Sequence, residues 1–107
     1  MASEYYILDA DKNAIPSTQL EWGRMFGDVE NRRVARTLYG DVVVSTVFLG
    51  LDHNWGDGPP AIFETMIFGG AHEDWRERTS TWQEAEETHR VACSLVYETE
   101  GVPGVPG

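Results

Sequence analysis

At 107 residues the chain has room for one domain around one core, and four residues each of Trp, Tyr and Phe can fill it without covalent staples. The single cysteine, Cys93, excludes an internal disulfide and a zinc cluster of several thiolates. With 8 Lys+Arg against 18 Asp+Glu the formal charge is −10, which disfavours sequence-independent binding to nucleic acid.

The first element is "YYILD" (Tyr5–Asp9), a short β-prone run closed by "ADKN". In "PSTQLEWGRMFGD", Thr18 with Glu21 three residues later forms a capping box, which predicts a short helix. Leu20, Trp22, Met25 and Phe26 supply its apolar side and Gly27 ends it. "RRVARTLYGDVVVSTVFLGLD" reads as a hairpin whose Gly40-Asp41 suits a two-residue type II′ turn. Both faces of its second arm are largely apolar, so this strand is expected to be central and either covered on both sides or paired in a dimer. "PAIFETMIF" is the third strand of the meander, closed by Gly69-Gly70, and "AHEDWRER" reads as a polar loop. A second capping box, Thr81 with Glu84, opens the last helix. Trp82, Ala85, His89, Ala92 and Val96 form its apolar stripe, and Gly101 ends it. The order β-α-β-β-β-α predicts an α+β domain over residues 1–100: an antiparallel sheet of about four strands with two helices packed on one face. The "GVPGVPG" tail, 101–107, reads as flexible.

Charge is unevenly placed. Arg24, Arg32, Arg33 and Arg36 sit together, while Glu84, Glu86, Glu87, Glu98 and Glu100 crowd the C-terminal third. A basic strand beside an acidic helix either pairs internally or divides two partner surfaces. The acidity serves solubility, or offers an acidic face to a basic partner in imitation of nucleic acid.

Several constellations can carry chemistry. The loop "DHNWGDGPP" joins Asp52, His53, Asn54, Trp55 and Asp57 to glycines, Gly58 among them, whose N–H groups can form an anion-receptive concavity. Against that stands a plain structural role, with Asx turns at Asp52 and Asn54 and Trp55 folded onto the core. His53, Asp57, His72, Glu73 and Asp74 are metal-ligand types, but HxH, HExxH and CxxC spacings are missing. The strand between the two loops also separates them by roughly 25 Å. No metal and no cofactor are expected. Glu64, mid-strand among apolar residues, needs a partner, and Arg36 with Thr46 is the expected one. His89 and Cys93 fall on the last helix and read as core or boundary residues rather than a nucleophile pair.

The run "VSTVFLGLDHNWGDGPPAIFETMIFGG", followed by "TSTWQEAEETH", resembles a family of small uncharacterised phage and prophage proteins. These share a STVFLGLDH, GxGPP, FETM, FGG core and a STWxEAExxH helix start. "YYILDADKNAIP" and "RRVARTLYGDVVVSTVFLG" fit the same pattern, so the resemblance spans most of residues 5–90. It implies a phage-encoded cytoplasmic accessory protein and names no catalytic residue.

The expectation is therefore a non-enzymatic binding protein, a possible homodimer, that engages a host protein, with inhibition of a host defence system such as CRISPR as the first role. Direct nucleic-acid and membrane binding are not expected: no apolar run spans a bilayer, and "MASEYYILDADK" lacks the pattern of a signal peptide. The expected contact surface is Asp52, His53, Asn54, Trp55, Asp57 and Gly58, joined by Trp75 and Arg76 if the second loop comes close. Two alternatives stand beside it. One is capture of a nucleotide-like anion by the glycine loop with Arg32, Arg33 or Arg36. The other is a small hydrolase using His53 with Asp52 or Asp57.

Overall fold

A computed structural model describes residues 4–52 and 58–100. The chain first forms a ribbon of β1 (Tyr5–Leu8) and β2 (Ala14–Ser17), paired antiparallel from Tyr5↔Ser17 to Leu8↔Ala14. Asp9 makes that ribbon possible: its Oδ1 accepts from the N–H groups of Asp11 and Asn13, both at 2.9 Å, and turns the chain within "ADKN". Two short helices follow, α1 (Gln19–Phe26) and α2 (Val29–Arg32). The Thr18–Glu21 capping box opens α1 and Asp28 caps α2.

The main sheet is an antiparallel meander of β3 (Arg33–Tyr39), β4 (Val42–Phe48), β5 (Phe63–Phe68) and β6 (Arg76–Thr79), in that spatial order. Gly40 at φ 61° makes the two-residue turn between β3 and β4, where a side chain would be strained. The last helix, α3 (Trp82–Glu100), starts at the Thr81–Glu84 box and lies across one face.

The α+β class and the four-stranded antiparallel sheet are as the sequence predicts; of the helices, α3 lies across the sheet, while α1 packs chiefly on the ribbon. The identity of the fourth strand is not. The "YYIL" segment pairs with "AIPS" in its own ribbon, and the main sheet is completed by "RERT", read from sequence as part of a polar loop. The reason is physical. β6 is a four-residue edge strand that holds its place through backbone hydrogen bonds and carries charge, so it has no apolar alternation to detect.

Strand alternation sorts the side chains into two faces. Val42, Val44, Thr46 and Phe48 of β4 and Phe63, Thr65 and Ile67 of β5 point inward and are buried. Against them α3 sets Ala85, His89, Ala92 and Val96, four members of the predicted stripe, all buried. The fifth, Trp82, packs half-buried with its ring edge-on to Phe63 at 6.3 Å.

The ribbon and α1 close the same core from one end. Tyr6 joins the cluster of Phe48, Ile62, Phe63 and Ala85, while Met25 packs on it and accepts the Leu8 N–H at its Sδ. The indole of Trp22 donates to the Leu49 carbonyl at 2.9 Å, and the Tyr6 N–H donates to that of Gly50 at 2.7 Å. No residue of α1 is buried, so these tertiary bonds hold a helix too short to persist alone.

Candidate functional site

The opposite face of the sheet is covered by no described element. Register places its side chains in three rows. Leu38, Val43 and Phe68 form an apolar row at one end. Arg36, Ser45, Met66 and Arg76 cross the middle, and Arg33, Val47, Glu64 and Arg78 form the third row. Leu38 is 41% and Phe68 48% exposed, high for large apolar residues facing outward from a sheet. A β-bulge between Arg33 and Ala35 lets Arg33 point outward while Val34 packs toward the core.

Among the described residues Glu64 is the one carboxylate in these rows, and its side chain is 14% exposed. Its partners are Arg78, whose Nε lies 3.0 Å from Oε2, and Arg76, whose Nε lies 3.6 Å from the same oxygen. The sequence reading paired it with Arg36 and Thr46, and the structure corrects both. Strand β4 stands between Glu64 and β3, so the guanidiniums within reach come from β6. Thr46 has the opposite parity and faces α3, while its neighbour Val47 is the residue opposite Glu64. Arg36 makes no ion pair among the described residues, and Arg33 makes a loose one with Glu30 at 3.9 Å. Because Thr37 and Tyr39 point toward α3, Arg36 points away from it. α3 packs on β3, but Arg36 of the basic strand faces away from it, so Arg36 does not neutralise the acidic helix.

Thr46 belongs to a different constellation. His89 Nδ1 lies 2.7 Å from Thr46 Oγ1, His89 Nε2 lies 2.9 Å from Thr37 Oγ1, and Thr46 Oγ1 lies 2.8 Å from Thr65 Oγ1. A neutral imidazole donates through one ring nitrogen and accepts at the other, so the chain of hydroxyls satisfies it completely. Among the described residues no carboxylate takes part, and His89 is 6% exposed, which makes it a structural core histidine, as its place on the stripe implies. Burial pulls its pKa below the ordinary 6.5.

The unfolded chain therefore takes up a proton near pH 6.5 that the folded chain refuses. Stability is full above that pH and falls as pH drops toward the folded pKa. The unfolding midpoint is expected to fall between about pH 7 and pH 5.5, above the range where carboxylates titrate. His89→Leu is expected to flatten that slope, and equal slopes in both proteins would show that His89 is not its source.

The arginines once grouped as anion ligands divide. Arg32 is committed to structure: its Nε donates to the Phe48 carbonyl at 3.1 Å and Nη1 to the Phe26 carbonyl at 3.0 Å. Its guanidinium also sits 3.9 Å from the Phe26 ring centroid, and burial lowers its pKa. Only Arg33 and Arg36 of that group reach the open face.

Of the predicted loop, His53, Asn54, Trp55 and Asp57 lie outside the described residues, as do residues 101–107. Asp52 closes the loop, its Oδ1 accepting the Ala61 N–H at 3.0 Å and its own N–H donating to the Glu4 carbonyl at 3.0 Å. Gly58 takes φ 115°, a conformation suited to glycine. Trp75 adjoins Ile67 at the far end of β5, roughly 17 Å along the strand from Ile62, so the described parts of the two loops do not meet. Its ring is half-buried against the cluster of Tyr39, Val42, Val44, Ile67, Ala92 and Val96. Arg76 stands apart from its neighbour, 51% exposed on the outer face.

Sequence reasoning passed over Leu38, Val43, Phe68 and Arg78. The available signal was parity, since every second residue of "VVVSTVF" and "FETMIF" faces away from the helix once β4 is central. A cleft of about 710 Å³ between the ribbon, α1 and α2 holds none of the predicted residues. Its lining mixes Lys12 and Arg24 with Asp9, Glu21 and Asp28, and so favours no charge class. Among the described residues no three His, Cys, Asp or Glu side chains stand together as metal ligands, and no helix is long and apolar enough to cross a membrane. In comparisons with known proteins the chain matches no family model, no curated protein and no solved structure.

Proposed function

We propose that this is a non-enzymatic binding protein of phage type that engages a host protein in the host-cell cytoplasm through the outer face of its sheet, and that its role is to inhibit a host defence system. The observation that carries the binding reading is that face itself. It sets large exposed apolar side chains, Leu38 and Phe68, beside four arginines on a rigid hydrogen-bonded platform. Contiguous apolar surface framed by charge marks an interaction site more often than a plain solvated face. The phage origin and host partner follow from the resemblance carried by Val44–Gly70 and Thr79–His89, and the small acidic domain suits an inhibitor that acts by occupying a surface.

The test compares tagged wild-type protein with the double variant Leu38→Asp/Phe68→Asp in cells that carry a defence system. Wild type is expected to retain a host protein through washing and to restore phage plating. The variant is expected to do neither, with its thermal midpoint within about 3 °C of wild type because both positions are exposed. Equal retention by both proteins would reject the outer face. Retention without rescue of plating would leave the binding reading and remove the counter-defence role.

A further inference from the structure

The outer face also carries information about the chemistry of what it binds, an inference that rests on the reading above. Arg33, Arg36, Arg76 and Arg78 stand there against Glu64, with Glu30 paired to Arg33 at its edge, a local excess of two positive charges (four minus two) in a chain whose formal charge is −10. Half of the chain's eight basic residues are gathered on one face, while Glu84, Glu86, Glu87 and Glu98 are exposed on α3. Arg76 and Arg78 both direct Nε at one oxygen of Glu64. That shared anchor sets two guanidiniums against one carboxylate, so the group keeps a net positive charge. Paired guanidinium edges of this kind match a carboxylate in two-point geometry.

The geometry points to a partner segment in which carboxylates alternate with apolar side chains. Its carboxylates pair with Arg36, Arg76 and Arg78, and its apolar side chains lie on Leu38, Val43 and Phe68.

Size and charge select this occupant. Four strands and about six residues of length make a platform of roughly 400 Å². A stable interface between two folded proteins covers about 800 Å² on each side, so the platform fits one helix or extended segment. A second copy docking the same face would oppose two positive surfaces, which disfavours a symmetric dimer here. Single-stranded nucleic acid stacks its bases on successive aromatic rings, and among the described residues this face exposes only Phe68 of that kind, with the Glu64 carboxylate near its centre.

The experiment titrates the full chain with a synthetic helical peptide bearing leucine and phenylalanine along one stripe flanked by glutamates. Controls are the same peptide with glutamine for glutamate, oligouridine, and vesicles of phosphatidylcholine containing phosphatidylglycerol. Amide chemical shifts are expected to move on β3, β4, β5 and β6 with the acidic peptide alone, and binding is expected to weaken with added salt. Arg36→Glu, which breaks no ion pair among the described residues, is expected to weaken it about tenfold, and Arg78→Gln by a smaller factor. Three results would overturn the inference: no binding of the acidic peptide at millimolar concentration, equal binding of the glutamine peptide, or preferential binding of oligouridine or vesicles. The cell partner separates this step from the one beneath it. If Leu38→Asp/Phe68→Asp loses that partner while Arg36→Glu and Arg78→Gln keep it at full affinity, the outer face stands as the contact and the acidic segment does not. If none of these substitutions alters retention, both fall.

Discussion

Gly50→Ala is expected to lower folding stability by about 3 kcal/mol or more, a larger effect than the same change at Gly23, Gly27, Gly40 or Gly69. Gly50 sits at φ 70°, where a side chain costs roughly 1–2 kcal/mol. Space is the second obstacle. A Cβ there would lie 2.7 Å from Trp22 Cδ1, 2.7 Å from the Tyr6 carbonyl oxygen and 2.8 Å from Trp22 Nε1. The backbone atom cannot yield without moving β1, and the indole cannot yield without losing its bond to the Leu49 carbonyl. The Gly50 carbonyl also accepts the Tyr6 N–H, so the ribbon, α1 and the end of β4 all meet at this residue. Urea titration of the two proteins measures the loss. A difference below about 1 kcal/mol would mean that the ribbon can shift away cheaply and is not firmly tied to the sheet. As a comparison, Gly23→Ala meets no atom within 4 Å and is expected to stabilise α1 slightly.

The second large effect is at His89. His89→Ala is expected to cost about 3 kcal/mol, because it opens a cavity under the middle of α3 and strips hydroxyl partners from the inner face of the sheet. His89 is 6% exposed, and Thr46 and Thr65 are fully buried, so water cannot replace the ring at no cost. His89→Leu keeps much of the volume and isolates the polar part of the loss. Combining it with Thr46→Val and Thr65→Val removes the two fully buried hydroxyls as well, leaving the half-buried Thr37, and that triple variant is expected to regain most of the stability. A triple variant less stable than His89→Leu alone would show that the hydroxyl chain contributes more than its own satisfaction. Binding through the outer face is expected to survive in the triple variant, since all three side chains point the other way.

Much of this was legible because some residues act locally. The capping boxes Thr18–Glu21 and Thr81–Glu84 are four-residue events, and Gly40 makes its turn without help from elsewhere. The stripe from Trp82 to Val96 was readable because helical period alone brings those positions to one face. Each of these signals lies within one turn or one element. The partner of Glu64 was not legible, since sequence offers every arginine equally and strand order alone selects Arg76 and Arg78. β6 escaped notice for a related reason: an edge strand of charged residues is held by backbone bonds, which leave no trace in side-chain pattern.

The sequence by itself determined the class of the fold, the helix starts, the central apolar strand and the strong acidity of the chain. Tertiary structure alone decided that "RERT" joins the sheet beside "FETM", and that the basic strand turns its arginines away from α3. It also decided that Leu38, Val43 and Phe68, some 30 residues apart at the extremes, share one exposed row. The physical reason is that local propensity acts over a few residues, whereas a charge or an apolar group becomes a surface only after strand pairing assigns it neighbours and a face.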